Sequence, residues 1–220
     1  MPVASDALLA AIRSRDHDVV AQMLSHVPGS RSLTGPSGES LVLHACYVGA
    51  SSLAPTLLGS RALDVAEAAA LGDVGALDAA LAYDPDAISR RTADGWTPLH
   101  LACFFGKEDA AALLIDSGAS LDALSTNATR NTPLHAAIAG ACVHALVKRL
   151  VLAGSDVAAL GEAGITPLHV AASRGDAPLC DLLIARGAKP HATMTDGTTP
   201  AQLATARGHT ELAEKLIGIV

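Results

Sequence analysis

Apolar residues fall along this chain in short blocks that glycine, aspartate or asparagine breaks apart. Val65–Leu71 is followed by Gly72-Asp73 and then by Val74–Tyr83. Thr97–Phe105 is followed by Gly106 and then by Glu108–Ser117. Blocks of this length, rich in alanine and leucine, predict helices, and a glycine between two of them predicts a left-handed stop. The same rhythm predicts a first helix over Ala7–Ile12 capped by Asp6, a turn at Arg15-Asp16, and a second helix over Val19–Leu24 ended near Pro28-Gly29. A further helix is predicted around Leu53–Leu58, with Pro55 in its first turn, where proline is tolerated. The pattern is thus one of helix–turn–helix units.

A tetrapeptide sets their spacing. Thr-Pro-Leu-His occurs at Thr97–His100, Thr132–His135 and Thr166–His169, with a worn copy at Thr199–Gln202, in steps of 35, 34 and 33 residues. Near-constant spacing is the mark of a repeat array in which each unit stacks on its neighbours. Each letter suits a helix start. Threonine can accept an orphan backbone N–H as N-cap, and proline at the first helical position lacks only an N–H that is unsatisfied there anyway. Leucine opens the buried stripe. At this period, and with these four letters, the chain resembles the ankyrin repeat. The resemblance implies an all-α solenoid of about seven stacked helix–turn–helix repeats with short β-hairpin loops. It also implies that each histidine ring ties its own threonine to the neighbouring repeat.

The units read as 6–33, 37–62, 64–91, 94–126, 130–160, 163–193 and 196–220. The resemblance is close over the last four and one of pattern over the first three. The second unit has Ser40-Leu41-Val42-Leu43 in place of the four letters. A separation of 57 residues carries Asp16 to Asp73, Leu24 to Leu81, Pro28 to Pro85, Gly38 to Gly95 and Ala45-Cys46 to Ala102-Cys103. Shared repeat grammar explains part of this, and the matching Pro28 and Pro85 favour a duplicated pair of units. The fifth unit carries one residue more than the fourth, placed around Gly140-Ala141-Cys142. The last helix reaches Val220 in step with the period, so the array is expected to complete there. Ile217, Ile219 and Val220 form an apolar tip, expected to pack inward on the sixth unit, with pairing to a second copy as the alternative.

Composition narrows the function classes. The net charge of −7 disfavours non-specific nucleic-acid binding, and no basic stripe interleaved with aromatics is present. The start, Met1–Asp6, has neither the basic nor the apolar part of a cleaved leader, and no apolar run has membrane-spanning length. The expected location is cytoplasmic, with secretion without a cleaved leader left open. Cys46, Cys103, Cys142 and Cys180 show no metal or disulfide spacing and read as buried thiols. His100, His135 and His169 suggest a metal set. Equivalent residues of stacked helices lie roughly 10 Å apart, however, whereas ligands sit about 2.0–2.3 Å from one ion. His100 and Cys103 share a helix face, but nothing supplies an orienting acid. No phosphate-binding glycine loop appears. No metal, cofactor or catalytic residue is expected.

What remains is binding. The resemblance implies partner contacts at the hairpin tips and at the ends of the first helices. The tips give Trp96, Asn131, Ile165 and Thr198. The helix ends give Tyr47 and Val48, Phe104 and Phe105, Arg174 and Arg207, with Ile138 in the fifth unit. Four of the five aromatic residues fall on these positions, which reads as a docking patch of Trp96, Phe104 and Phe105 with Tyr47. The competing reading is that the rings pack on neighbouring repeats and bury one another. The expected function is a scaffold or adaptor for one protein of unknown identity. A regulatory or inhibitory subunit of an enzyme complex is the alternative. The chain is expected to be a monomer without nucleic-acid or membrane partners.

Overall fold

The computed structural model describes residues 2–26, 29–140 and 143–219. Fourteen helices among them pack as pairs. These are α1 (Pro2–Ser14) with α2 (His17–His26), α3 (Leu41–Tyr47) with α4 (Ala54–Leu58), and α5 (Val65–Leu71) with α6 (Val74–Tyr83). Then come α7 (Pro98–Phe104) with α8 (Glu108–Asp116), α9 (Pro133–Ala139) with α10 (His144–Ala153), α11 (Pro167–Ser173) with α12 (Ala177–Ala185), and α13 (Pro200–Ala206) with α14 (Thr210–Ile217). The first members of successive pairs, α3 through α13, stack on one another in one layer. Leu99, Leu134 and Leu168 sit at equivalent points of this layer and are fully buried. Two corrections concern the ends. The first helix starts at Pro2, so Asp6 lies inside it and caps nothing. Ile217 is 65% exposed, whereas Ile219 packs inward as expected, beside the buried Leu216. Pro28, Cys142 and Val220 lie outside the described residues.

The histidines perform the bridging that the resemblance implied. In α7 the Thr97 amide donates to His100 Nδ1 (3.3 Å), which makes Nδ1 the acceptor, so Nε2 carries the proton and donates to the Asn131 carbonyl (2.8 Å) of the next unit. His135 Nε2 likewise donates to the Ile165 carbonyl (3.2 Å) and His169 Nε2 to the Thr198 carbonyl (3.1 Å). Each ring thereby spends both nitrogens on the backbone. In the last unit Gln202 replaces histidine and closes a reciprocal cap with Thr199, whose amide donates to Gln202 Oε1 (2.8 Å).

Between the pairs, the chain makes narrow turns, each spanned by a backbone bond across its base. Gly35 donates to Glu39, Thr92 to Trp96, Gly161 to Ile165 and Met194 to Thr198. No strand ladder forms among the described residues; one isolated bridge joins Thr34 and Ser40. The turns also hold one another. Thr126 donates to the Gly95 carbonyl (3.0 Å), Glu162 to Thr129 (2.9 Å) and Thr195 to Ala163 (2.8 Å).

The third unit departs from this scheme. Only residues 59–64 join α4 to α5, so the row of tips has a gap between the turn at Gly35–Glu39 and the turn at Thr92–Trp96. The buried apolar residues divide nearby into two clusters, both of which Leu63 and Leu71 touch. At the histidine position α5 carries Glu67, which is fully buried. Its carboxylate accepts two bonds from Arg61 (2.6 Å each), one from the Ser40 hydroxyl (2.7 Å) and one from the Asp64 amide (3.2 Å). Burial pushes the Glu67 pKa up, but these donors, Arg61 foremost, outweigh it and hold it below the usual range. The bridge at this unit therefore runs backward, to Ser40, and rests on an ion pair. Arg61→Ala strands the carboxylate. It is expected to cost roughly 2 kcal/mol, short of the full price of an unpaired buried charge because Arg61 is itself half exposed. A shift of the urea midpoint checks this.

Candidate functional site

The gap in the row of tips is where the aromatic residues gather. Tyr47, from the end of α3, reaches across to rings of the fourth unit: its centroid lies 6.5 Å from Trp96, 6.4 Å from Phe104 and 5.4 Å from Phe105. Trp96 and Phe104 meet edge to face at 5.0 Å, as do Phe104 and Phe105 at 5.2 Å. Such edge contacts are the favourable arrangement for aromatic pairs. α5, which lies between α3 and α7, carries only Val, Ala, Glu and Leu and presents no ring of its own. The Tyr47 hydroxyl donates to Asp94 Oδ2 and the Thr92 hydroxyl to Asp94 Oδ1. Burial, and then the Asp94 carboxylate, push the Tyr47 phenol up, so it stays a donor.

Both readings of the aromatic patch are partly met. Trp96 is 9% exposed, and its expected surface position is corrected: Tyr47 and Phe104 cover it. Tyr47, Phe104 and Phe105 are half-buried and leave ring surface facing out. Beside them lies a notch of about 560 Å³, lined by Glu39, His44, Tyr47, Asp94, Trp96 and Phe104 among others. Its floor and walls come from the second and fourth units and the loop that leads into the fifth, because the third supplies no turn to fill it.

The other candidates separate by register. Val48, Asn131, Ile165 and Thr198 are half-buried; Arg174 and Arg207 are exposed. The Arg174 guanidinium donates to the Ala139 carbonyl of the preceding unit (3.1 Å). Ile138 is corrected: it is fully buried in α9. Counted forward from Thr132, it matches Cys103 of the fourth unit and Ala172 of the sixth, both also fully buried. Counting back from Gly140 misplaces it, because the extra residue lies after the helix. The true partners of Phe104 and Phe105 are Ala139 and Gly140, so the fifth unit has no ring to offer.

Two features escaped the sequence. Tyr83 is 93% exposed at the end of α6 and borders an apolar hollow of about 400 Å³ with Leu63, Val65, Ala76 and Ala80. Its signal was its place, the last helical residue before Asp84. Glu39, His44 and Asp94 of the notch had no motif; the short junction at 59–64 was the available clue.

The chemistry of the buried groups is structural. Burial pushes the Cys46 thiol up to about 11 and Cys180 up to about 12, and raises Cys103 as well. A nucleophilic thiol needs the opposite shift. No group of three or more His, Cys, Asp or Glu residues among those described could hold a metal ion. No helix among them is long and apolar enough to cross a membrane.

Comparison with known proteins agrees with the architecture. The family model for ankyrin repeats (3 copies) matches residues 65–158 and 140–219. Ankyrin repeat and SOCS box protein 16 of Mus musculus is 39% identical over 104 residues, 44% of this chain and 22% of that protein. B-cell lymphoma 3 protein homolog of Mus musculus is 34% identical over 112 residues, 51% of this chain and 24% of its own length. Probable E3 ubiquitin-protein ligase XBOS31 of Oryza sativa subsp. japonica is 34% identical over 128 residues, 57% and 28% of the two chains. The chain thus spans about a quarter of the length of these relatives. With the family model matched over more than half of the chain, on the stretch where the threonine–histidine bridges recur, the chain belongs to the ankyrin-repeat family.

Proposed function

We propose that this chain is a scaffold or adaptor that holds one protein partner along the face formed by the first helices and the hairpin tips. Ankyrin repeats form protein–protein interaction domains, and relatives with names as different as those above share with it only this kind of stretch. The observation that carries the reading is the fixed row of tips. The carbonyls of Asn131, Ile165 and Thr198 are each held by a buried histidine of the preceding unit. A surface ordered before binding loses little freedom on binding, so its contacts are spent on affinity. The half-buried rings of Tyr47, Phe104 and Phe105 supply the kind of anchor that dominates interfaces.

The burial of Trp96 decides how to test this. Its removal would open a cavity in the stack and unfold as much as it unbinds. The variant of choice is Phe104→Ala with Phe105→Ala, checked for retained helix by circular dichroism. In paired capture from native lysate, a protein recovered by the parent chain and lost with the folded variant is the expected result. Equal recovery by both baits would remove the aromatic face from the interface.

A further inference from the structure

The notch between the second and fourth units has a charge pattern that names its ligand. Glu39 is buried, and its carboxylate accepts only neutral or conditionally charged donors: the Ser37 amide (2.8 Å) and His44 Nδ1 (2.9 Å). Asp94 accepts two hydroxyls, from Tyr47 and Thr92. Among the described residues neither carboxylate has a lysine or arginine within ion-pair distance. Arg91, on the same turn as Asp94, donates instead to the Gly95 carbonyl (3.2 Å). Two carboxylates at one small site without a cation are costly, and an incoming cation offsets that cost.

His44 supplies the second observation. His44 borders the notch and is 5% exposed, and its Nε2, itself shielded from solvent, has no hydrogen-bond partner among the described residues. Buried ring nitrogens are almost always paired, so an acceptor left over at the edge of the notch suits an incoming donor. With Nδ1–H given to Glu39, Nε2 of the neutral ring is an acceptor that wants a donor. The walls are Tyr47, Trp96 and Phe104, whose electron-rich faces attract cations and whose flat surfaces suit an aliphatic stem. The notch, at about 560 Å³, has ample room for one long side chain.

We propose that the notch receives a single basic side chain, lysine or arginine, from an extended segment of the protein partner, seated between Glu39 and Asp94 with its stem against Trp96 and Phe104. This rests on the scaffold reading above and specifies what that scaffold recognises. The third unit, by lacking a turn, makes the site.

Trp96 is the single tryptophan of the chain, so its emission reports on the notch directly. The probes are acetylated, amidated pentapeptides of glycine with a central arginine, lysine, citrulline, norleucine or glutamate. The arginine and lysine peptides are expected to change Trp96 emission saturably at millimolar concentration, with citrulline and norleucine at least about tenfold weaker. Added salt should weaken the basic peptides. Glu39→Gln and Asp94→Asn, each removing the charge and keeping one of the two accepting oxygens, should reduce the preference for arginine over citrulline. Equal response to arginine and citrulline, a stronger response to glutamate, or no saturable response to either basic peptide would overturn the proposal. The wild-type comparison of arginine with citrulline needs no variant to fold. If the basic peptides fail while capture still depends on Phe104 and Phe105, the notch reading falls and the scaffold reading stands. If capture fails too, both fall.

Discussion

Acidification from pH 6.5 to about 4 is expected to strip this protein of much of its stability, through histidines that bind nothing but backbone and threonine. Burial, the largest cause, holds His100 and His135 down at about 4 and lowers His169 as well. In the unfolded chain the same rings titrate near the ordinary value of about 6.5. As the pH falls below that value the unfolded state takes up protons first, and folded stability declines until the folded rings protonate near 4. A gap of this size is worth about 3 kcal/mol for each of the two rings, a large part of any domain's stability. The structural reason is specific. A protonated Nδ1 can no longer accept the Thr97 or Thr132 amide, so the first turn of the helix loses its cap as the ring gains charge. Carboxylates act lower on the scale, and their shifts oppose one another: Glu67 is held down and Asp64 pushed up. Urea midpoints at pH 7, 6, 5 and 4.5 test this, and proton NMR of the ring protons locates the titrations. A stability that stays level from pH 6.5 to 4.5 would refute it. His135→Gln, which copies the arrangement of Thr199 and Gln202, should flatten the slope.

Gly140→Ala is expected to be the most damaging single methyl group that can be added to the stack. Gly140 closes α9 at the point where the end of that helix meets the end of α7. A Cβ there would lie 2.0 Å from the Phe104 carbonyl oxygen and 2.9 Å from its Cα. Both are backbone atoms of the neighbouring unit and have no rotamer to retreat into. The helices must part, at a cost of at least about 3 kcal/mol. Gly187→Ala is the control. Its φ is +98°, but nothing lies within 4 Å of the added carbon, so only the left-handed penalty of about 1 kcal/mol applies. Thermal melts of the two variants should differ severalfold in their loss. Equal losses would show that unit five can shift freely on unit four. The same approach explains why α9 ends without a ring: glycine stands where the fourth unit has Phe105, because the two helix ends touch there.

Much of the fold was legible because repetition states the same local rule several times. Threonine caps, proline fixes the first turn, leucine points inward, histidine bridges, and glycine takes the left-handed stop at Gly106 (φ 66°). These are local effects, and the helices α5 to α13 fall where that grammar puts them. The candidate surface was legible only as positions. Phe105, Arg174 and Arg207 do keep outward surface, whereas Trp96 and Ile138 do not. Ile138 was misplaced by counting from the wrong end of an insertion, a matter of register. Trp96 was misplaced because its own unit hides it only in part, through Phe104; the second covering ring, Tyr47, comes from 49 residues earlier.

The sequence by itself therefore determined the unit, its caps and its period, since each depends on residues within one turn of helix or one step of the repeat. Tertiary structure alone decided what happens when a step is shortened. The six residues 59–64 that join the second unit to the third leave a turn out of the row, bring Gly38 close to Ala93, and leave Glu39, His44 and Asp94 facing one another's surroundings across the gap. No local pattern encodes that meeting, because the residues that make it are 39 and 94 positions along the chain and are joined only by how the units stack.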